Sequence, residues 1–231
     1  MRVDIWSDIS CPWCYIGKAR FGAAVERFGR EVEVRHRSFE LDPNRGTEET
    51  EQVVEMLSRK YGMSLEQAQE GERRLQGLAA AEGLEYRAEG RESGGSFDIH
   101  RLLHLAAERG LADRAWQAFY TANFAEKASL FSRDRIADVA VGAGLDRDEV
   151  VAVLDDPEAY RDAVRADEAE AASLGANGVP FFVVDGKYGV SGAQPTEAFV
   201  EILEKAWGER EPKLASLGDD SDACGPEGCA V

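Results

Sequence analysis

The sequence predicts an α/β fold interrupted by a large all-helical insertion. Three observations carry that expectation. The first 41 residues read as strand, helix, strand. The stretch from Asp42 to Gly175 has helical periodicity and no comparable strand signal. Residues 176–208 then return to strand, two-residue turn, strand and helix.

The elements follow in order. Arg2 to Trp6 alternates, with Val3 and Ile5 apolar, and Ser7-Asp8 marks a turn. Ile16, Phe21, Val25 and Phe28 recur at helical spacing until Gly29 stops the run. Glu31 to Phe39 alternates again through Val32 and Val34. A strand, a helix and a second strand in that order predict a parallel pair with the helix on one face.

In the middle, Ser64-Leu65-Glu66-Gln67 has the form of a capping box. Phe97 to Arg109 is a helix with Gly110 after it. Trp116, Phe119, Tyr120 and Phe124 form an apolar stripe at spacings of three and four, read as core-facing. Short helices follow at Arg133–Gly144 and Asp148–Leu154. Asp156-Pro157 opens another, carrying Tyr160, Val164 and Leu174.

The Gly175 to Pro180 stretch breaks the helical pattern. Phe181 to Val184 is a short apolar strand, Asp185-Gly186 a hairpin turn and Tyr188 to Ser191 the return strand. Pro195 opens a last helix, with Phe199, Ile202, Leu203 and Trp207 on one face. Residues 209–231 are expected to form a flexible acidic tail with a Cys-x4-Cys pair. The predicted divisions are therefore 1–41, 42–175, 176–208 and 209–231.

The 231 residues include 44 acidic and 27 basic ones, a net charge of -17. Phosphate backbones and anionic lipids repel such a surface, so neither nucleic acid nor membrane is an expected partner. No apolar run reaches the roughly 18 residues of a membrane helix. No basic-then-apolar leader is visible at Met1, which points to the cytoplasm. Cysteine pairs in a reducing compartment are more often catalytic or metal-binding than structural.

The chemistry centres on Cys11-Pro12-Trp13-Cys14. Cys11 follows a strand and turn and precedes Pro12, a natural first helical residue. A cysteine at a helix N-terminus faces unsatisfied N–H groups that stabilise a thiolate, the nucleophile of disulfide exchange. Cys14, one turn into the helix, is placed to resolve a mixed disulfide on Cys11. Trp13 presents an apolar surface to substrate. The competing reading is a zinc site with the distant Cys224-x4-Cys229. A pair that opens an amphipathic helix after a buried strand fits redox chemistry better, and no metal is assigned. Val179-Pro180, directly before a strand, adds to the case. In a thioredoxin-type fold that position offers a backbone edge to substrate beside the reactive cysteine, and needs an X-Pro bond able to be cis.

Five segments together resemble FrnE proteins, a cytoplasmic branch of the DsbA-like thioredoxin superfamily. They are Ser10–Gly17, Ser38–Pro43, Phe97–Leu103, Gly178–Phe182 and Val190–Pro195. The resemblance runs from about Val3 to Trp207. It implies a protein disulfide oxidoreductase or isomerase, a cis bond at Val179-Pro180, and a substrate-facing or thiolate-stabilising role for His100. Its partners would be disulfide- or thiol-containing proteins. Glutathione is a candidate redox partner, no bound cofactor is expected, and the chain is a monomer or homodimer. Pro-Trp between the cysteines separates it from the periplasmic enzymes, which have Pro-His.

The same branch includes 2-hydroxychromene-2-carboxylate isomerase and kappa-class glutathione transferases, which typically place serine where Cys11 stands. A glutathione-dependent isomerase or transferase of an aromatic or polyketide-like molecule is therefore the first rival function. A non-catalytic holdase is the second. Some FrnE-like proteins carry an extra C-terminal Cys-x4-Cys, so Cys224 and Cys229 read as a second redox pair, a passive tail or a metal site. His100 and His104 stand four apart, as metal ligands on a helix can. An ordinary helical role competes there. Lys18 and Arg20 read as solvated charges, and Glu40 and Asp42 as strand-end acids that could move protons.

Overall fold

The computed structural model describes residues 1–46 and 49–210. Strand β1 (Arg2–Ser7) is buried from Val3 onward because helices cover both faces of its sheet. Helix α1 (Pro12–Phe28) starts with Pro12 in its first turn and Cys11 as its N-cap. It ends at Gly29, whose φ of 65° lets its N–H reach the Val25 carbonyl at 3.1 Å. Strand β2 (Glu33–Ser38) pairs parallel to β1, with Ile5 opposite His36.

Next come β3 (Glu51–Gln52), α2 (Val53–Tyr61), α3 (Leu65–Ala81) and β4 (Glu92–Ser93). They are followed by α4 (Phe97–Glu108), α5 (Ala112–Phe124), α6 (Arg133–Gly142), α7 (Arg147–Asp155) and α8 (Arg161–Ser173). The chain closes with β5 (Phe181–Val184), β6 (Tyr188–Ser191) and α9 (Thr196–Gly208). Ser64 caps α3 in a full capping box with Gln67. Asp185 and Gly186 both take positive φ, 52° and 69°, so the β5–β6 turn matches the strand twist. No helix among the described residues is long and apolar enough to cross a membrane.

The main sheet runs β2-β1-β5-β6, with β5 antiparallel to both its neighbours. Period-2 alternation divides its side chains between two cores. Val3, Ile5, Phe182 and Val184 face α1 and α9, where Phe21, Phe199 and Leu203 meet them. The Phe182 and Phe199 rings lie 4.6 Å apart, edge to face. Burying each such ring stabilises by about 1.5–3 kcal/mol. Trp6, Phe181 and Val183 point the other way, toward Ala171 of α8 and Ala176. The Trp6 indole N–H donates to the Asp167 carbonyl at 2.8 Å, so α8 covers this second face.

A third and larger core fills the helical layer. Trp116, Phe119, Tyr120 and Phe124 of α5 all lie in it, and Tyr15 of α1 stacks on Phe124 at 5.1 Å. Ile9, Cys11, Cys14 and Ile16 belong to this core too. The cysteine pair thus sits on the seam between the sheet layer and the helices inserted after β2.

Two local expectations change. The insertion is not wholly helical: β3 and β4 form a two-residue antiparallel pair, too short to leave a period in the sequence. The helix assigned to Asp156-Pro157 begins later, at Arg161, after a turn that ends at Tyr160 with φ 60°. Val164 is fully buried, but Leu174 falls past the helix end and is 46% exposed.

Candidate active site

The turn after β1 is closed twice. The Cys11 N–H donates to the Asp8 carbonyl at 3.1 Å, and the Ser10 N–H donates to Asp8 Oδ1 at 3.0 Å. This sets Cys11 at the mouth of α1, with Cys14 N–H bonded back to the Cys11 carbonyl. Both cysteines are free thiols and buried, Cys14 to 1% exposure. Burial pushes the Cys14 thiol well up, and the neighbouring Cys11 sulfur adds to the effect. Trp13 points outward and is 42% exposed.

The Cys11 thiol donates to the carbonyl of Val179 at 3.6 Å. The Val179–Pro180 bond is cis. The Pro180 carbonyl is held by the Gly192 N–H at 2.8 Å, which pins the loop to the end of β6. The Pro180 ring lies over Gly17, where a Cβ would come within 3.0 Å of its Cγ. The first helix and the loop before β5 therefore meet at the sulfur.

Behind the cysteines lies a buried polar cluster. Asp8 is 1% exposed, and its Oδ2 accepts from the Leu41 N–H at 2.7 Å. Burial raises the Asp8 carboxyl, but His100 and the amides of Leu41 and Ser10 outweigh it and hold the group below its usual range. His100 is fully buried in α4, with Nε2 3.5 Å from Asp8 Oδ1 and Nδ1 3.1 Å from Ser38 Oγ. His104, one turn on, faces the same Ser38 Oγ at 3.2 Å and Asp167 at 3.2 Å. Glu40 is buried and takes a 2.6 Å hydrogen bond from Arg165. Burial raises its carboxyl despite the cations nearby. Tyr120 completes the cluster, its phenol held up first by burial and then by the charge on Cys14.

Beside Cys11 opens a cavity of about 620 Å³. Its wall is mainly apolar: Trp13, Leu41, Met56, Leu57, Leu75 and Phe131 line it, with Arg91 and Glu72 at one side. Those two are paired with each other at 2.8 Å, and the Tyr86 hydroxyl also donates to Glu72.

The structure thus gathers Cys11, Pro12, Trp13, Cys14, Val179 and Pro180 at one point, with His100 behind them. Arg20 is not a solvated charge: it donates to Glu82 at 2.6 Å and to the Ala193 carbonyl at 2.8 Å. His100 and His104 share a serine hydroxyl, and among the described residues no group of three or more His, Cys, Asp or Glu side chains could hold a metal. Cys224 and Cys229 lie outside the described residues. Asp8 stands out little in the sequence. Its only signal there is an acidic residue three positions before Cys11, which reads as an ordinary turn.

A parallel β1–α1–β2 unit joined to an antiparallel hairpin and last helix, with a Cys-x-x-Cys pair at the first helix and a cis-proline beside it, defines a thioredoxin-type dithiol protein. The chain belongs to the DSBA-like thioredoxin domain family, which it matches over residues 2–204. It is thus of the DsbA-like thiol–disulfide oxidoreductase kind.

It is 60% identical to a "probable DsbA oxidoreductase" of Streptomyces coelicolor, with a TM-score of 0.90, over 100% of this chain and 99% of that one. The cytosolic disulfide reductase DsbM of Pseudomonas aeruginosa shares the fold at 18% identity and TM-score 0.62, covering 90% of this chain and 99% of that one. A 2-hydroxychromene-2-carboxylate isomerase shares it at 19% identity and TM-score 0.62, over 90% and 95%. A stretch of 44 residues is 41% identical to the uncharacterised protein YwbO of Bacillus subtilis, spanning 21% of that protein and 19% of this chain.

Proposed function

We propose that the protein exchanges disulfides in protein substrates through the Cys11/Cys14 dithiol, as a cytoplasmic, FrnE-type oxidoreductase or isomerase. One observation carries the reading. The Cys11 sulfur sits at the N-terminus of a helix and 3.6 Å from the carbonyl that precedes a cis-proline. A peptide lying along that backbone edge would bring its disulfide to the sulfur.

In the reducing direction, the Cys11 thiolate attacks one substrate sulfur. The substrate S–S bond breaks, a mixed disulfide forms on Cys11, and the first substrate thiolate leaves and takes a proton. Cys14 then loses its proton and attacks Cys11 Sγ. The second substrate thiol is released and Cys11–Cys14 remains oxidised, two electrons having passed to the substrate. A low-molecular-weight thiol such as glutathione would return the pair to the dithiol. Cys224 and Cys229 are the proposed second redox couple, exchanging with the first. Unchanged reductase and isomerase rates after both become serine would count against that role.

The apolar cavity beside Cys11 favours one second reading, a glutathione-dependent reaction of a small aromatic molecule. Insulin reduction separates the two. The unsubstituted protein is expected to reduce insulin and Cys11→Ser is not; equal activity in both would contradict the exchange mechanism.

A further inference from the structure

The peptide edge beside Cys11 is held in place from some way off. Gly192, with φ 79°, turns the chain sharply after β6, and its N–H holds the Pro180 carbonyl at 2.8 Å. The next carbonyl, that of Ala193, accepts from Arg20 Nη1 at 2.8 Å. Arg20 stands on α1, one turn after Gly17, and its Nε donates to Glu82 Oε1 at 2.6 Å. Glu82 is the C-cap of α3, the helix whose Leu75 and Leu78 wall the apolar cavity. One guanidinium thus joins three elements. They are the helix that carries the cysteines, the loop that holds the cis-proline, and the inserted helix that walls the cavity.

This pair differs from the ion pairs at the rim. The Arg20 and Glu82 side chains are 16% and 24% exposed, against 54% and 67% for Arg27 and Glu197 near the start of α9. Exposed pairs of the second kind contribute little. A guanidinium presents its donors in a rigid fork, so two acceptors bound to it are fixed relative to each other. Among the described residues, no other side chain from outside the 192–194 loop hydrogen-bonds to it.

We propose that Arg20 is a positioning residue for disulfide exchange: it fixes the cis-proline edge relative to the α3 wall, and so sets a preference for protein disulfides over small ones. The proposal rests on the exchange reaction proposed above. A protein segment lying along Val179-Pro180 and against α3 meets both surfaces at once. Their spacing is set before the segment arrives, so less ordering is left to the binding step. A small disulfide reaches the sulfurs without spanning the two surfaces, and the tie is of no consequence to it. Loss of Arg20 loosens the edge without removing it. Gly17 still packs under Pro180 and Ala193, and the Gly192 N–H still holds the Pro180 carbonyl.

The test mixes prereduced full-length protein with increasing insulin, or with hydroxyethyl disulfide, and follows loss of the dithiol by acid quenching and mass spectrometry. Arg20→Ala should lower the second-order rate with insulin about tenfold or more, as misplaced binding surfaces do. The loss should come from a higher half-saturating concentration, with the limiting rate little changed. The rate with hydroxyethyl disulfide should stay within about twofold, and the Cys11/Cys14 potential should not move. Glu82→Ala should slow insulin in the same direction, and the double variant should go no further than Arg20→Ala, because the two side chains act as one unit. Glu82→Gln, which keeps an acceptor oxygen, should behave as the unsubstituted protein.

If Arg20→Ala does not fold, the insulin-to-small-disulfide ratio of Glu82→Ala decides. A ratio within about twofold of the unsubstituted protein in these variants overturns the positioning role, whether both rates fall together or neither falls. A slowing that merely tracks a shifted potential overturns it too. Should the unsubstituted protein reduce hydroxyethyl disulfide but not insulin, the reading of protein substrates falls and the positioning role with it. Should it reduce neither, the exchange reaction itself is overturned.

Discussion

The Cys11 sulfur donates to the Val179 carbonyl at 3.6 Å across 168 positions of sequence. That contact joins the turn after the first strand to the loop before the fifth. The site therefore depends on how closely α1 approaches that loop.

Gly17 sets that approach. A Cβ there would lie 3.0 Å from Pro180 Cγ and 3.3 Å from Ala193 Cβ. Gly17→Leu should lower stability by about 1–3 kcal/mol through overpacking. It should also slow reaction with a folded protein disulfide far more than with a small free disulfide, because the peptide edge moves and the thiols do not. Parallel rate measurements on the two substrates, with a thermal melt, check this.

Arg101 holds the helix that carries His100. Its side chain is 2% exposed and donates to the carbonyls of Val153 and Asp156 at 2.6 Å each, with Asp98 at 2.7 Å. Arg101→Leu leaves those carbonyls without a donor. The expected loss is on the order of 3 kcal/mol, seen as a fall in Tm of roughly 10 °C.

The reduced protein should lose stability in alkali through Cys14. In the unfolded chain this thiol ionises near 9.0, whereas burial in the folded chain holds its proton to higher pH. Above pH 9 unfolding therefore releases a proton, and stability falls as pH rises. Below pH 9 the contribution is fully present. The slope approaches about 1.4 kcal/mol per pH unit. Denaturant titrations between pH 8 and 10 should show it in the unsubstituted dithiol form, and a shallower fall in Cys14→Ala.

Much of this site is legible in the sequence because its determinants are local. Pro12 after Cys11 starts a helix, Asp185-Gly186 turns a hairpin, and Ser64 with Gln67 caps α3, each by chemistry within four residues. What the sequence hides are relationships made by long-range packing. His100 and His104 read chiefly as ordinary helical residues, and what they share shows only when Ser38, 62 positions before His100, is seen between them. Asp8 reads as a turn residue because its burial comes from α4 and the Leu41 amide. Arg20 reads as solvated because Glu82 and Ala193 reach it only in the folded chain. The β3–β4 pair escapes notice because two residues cannot display a period.

The central claim, that Cys11 attacks and Cys14 resolves, meets its most direct test in a trapping measurement. Cys14→Ser incubated with a protein disulfide should accumulate a covalent adduct whose tryptic map places the substrate on Cys11, and Cys11→Ser should accumulate none. An adduct formed equally well without Cys11, or insulin reduction that survives Cys11→Ser, would contradict the account.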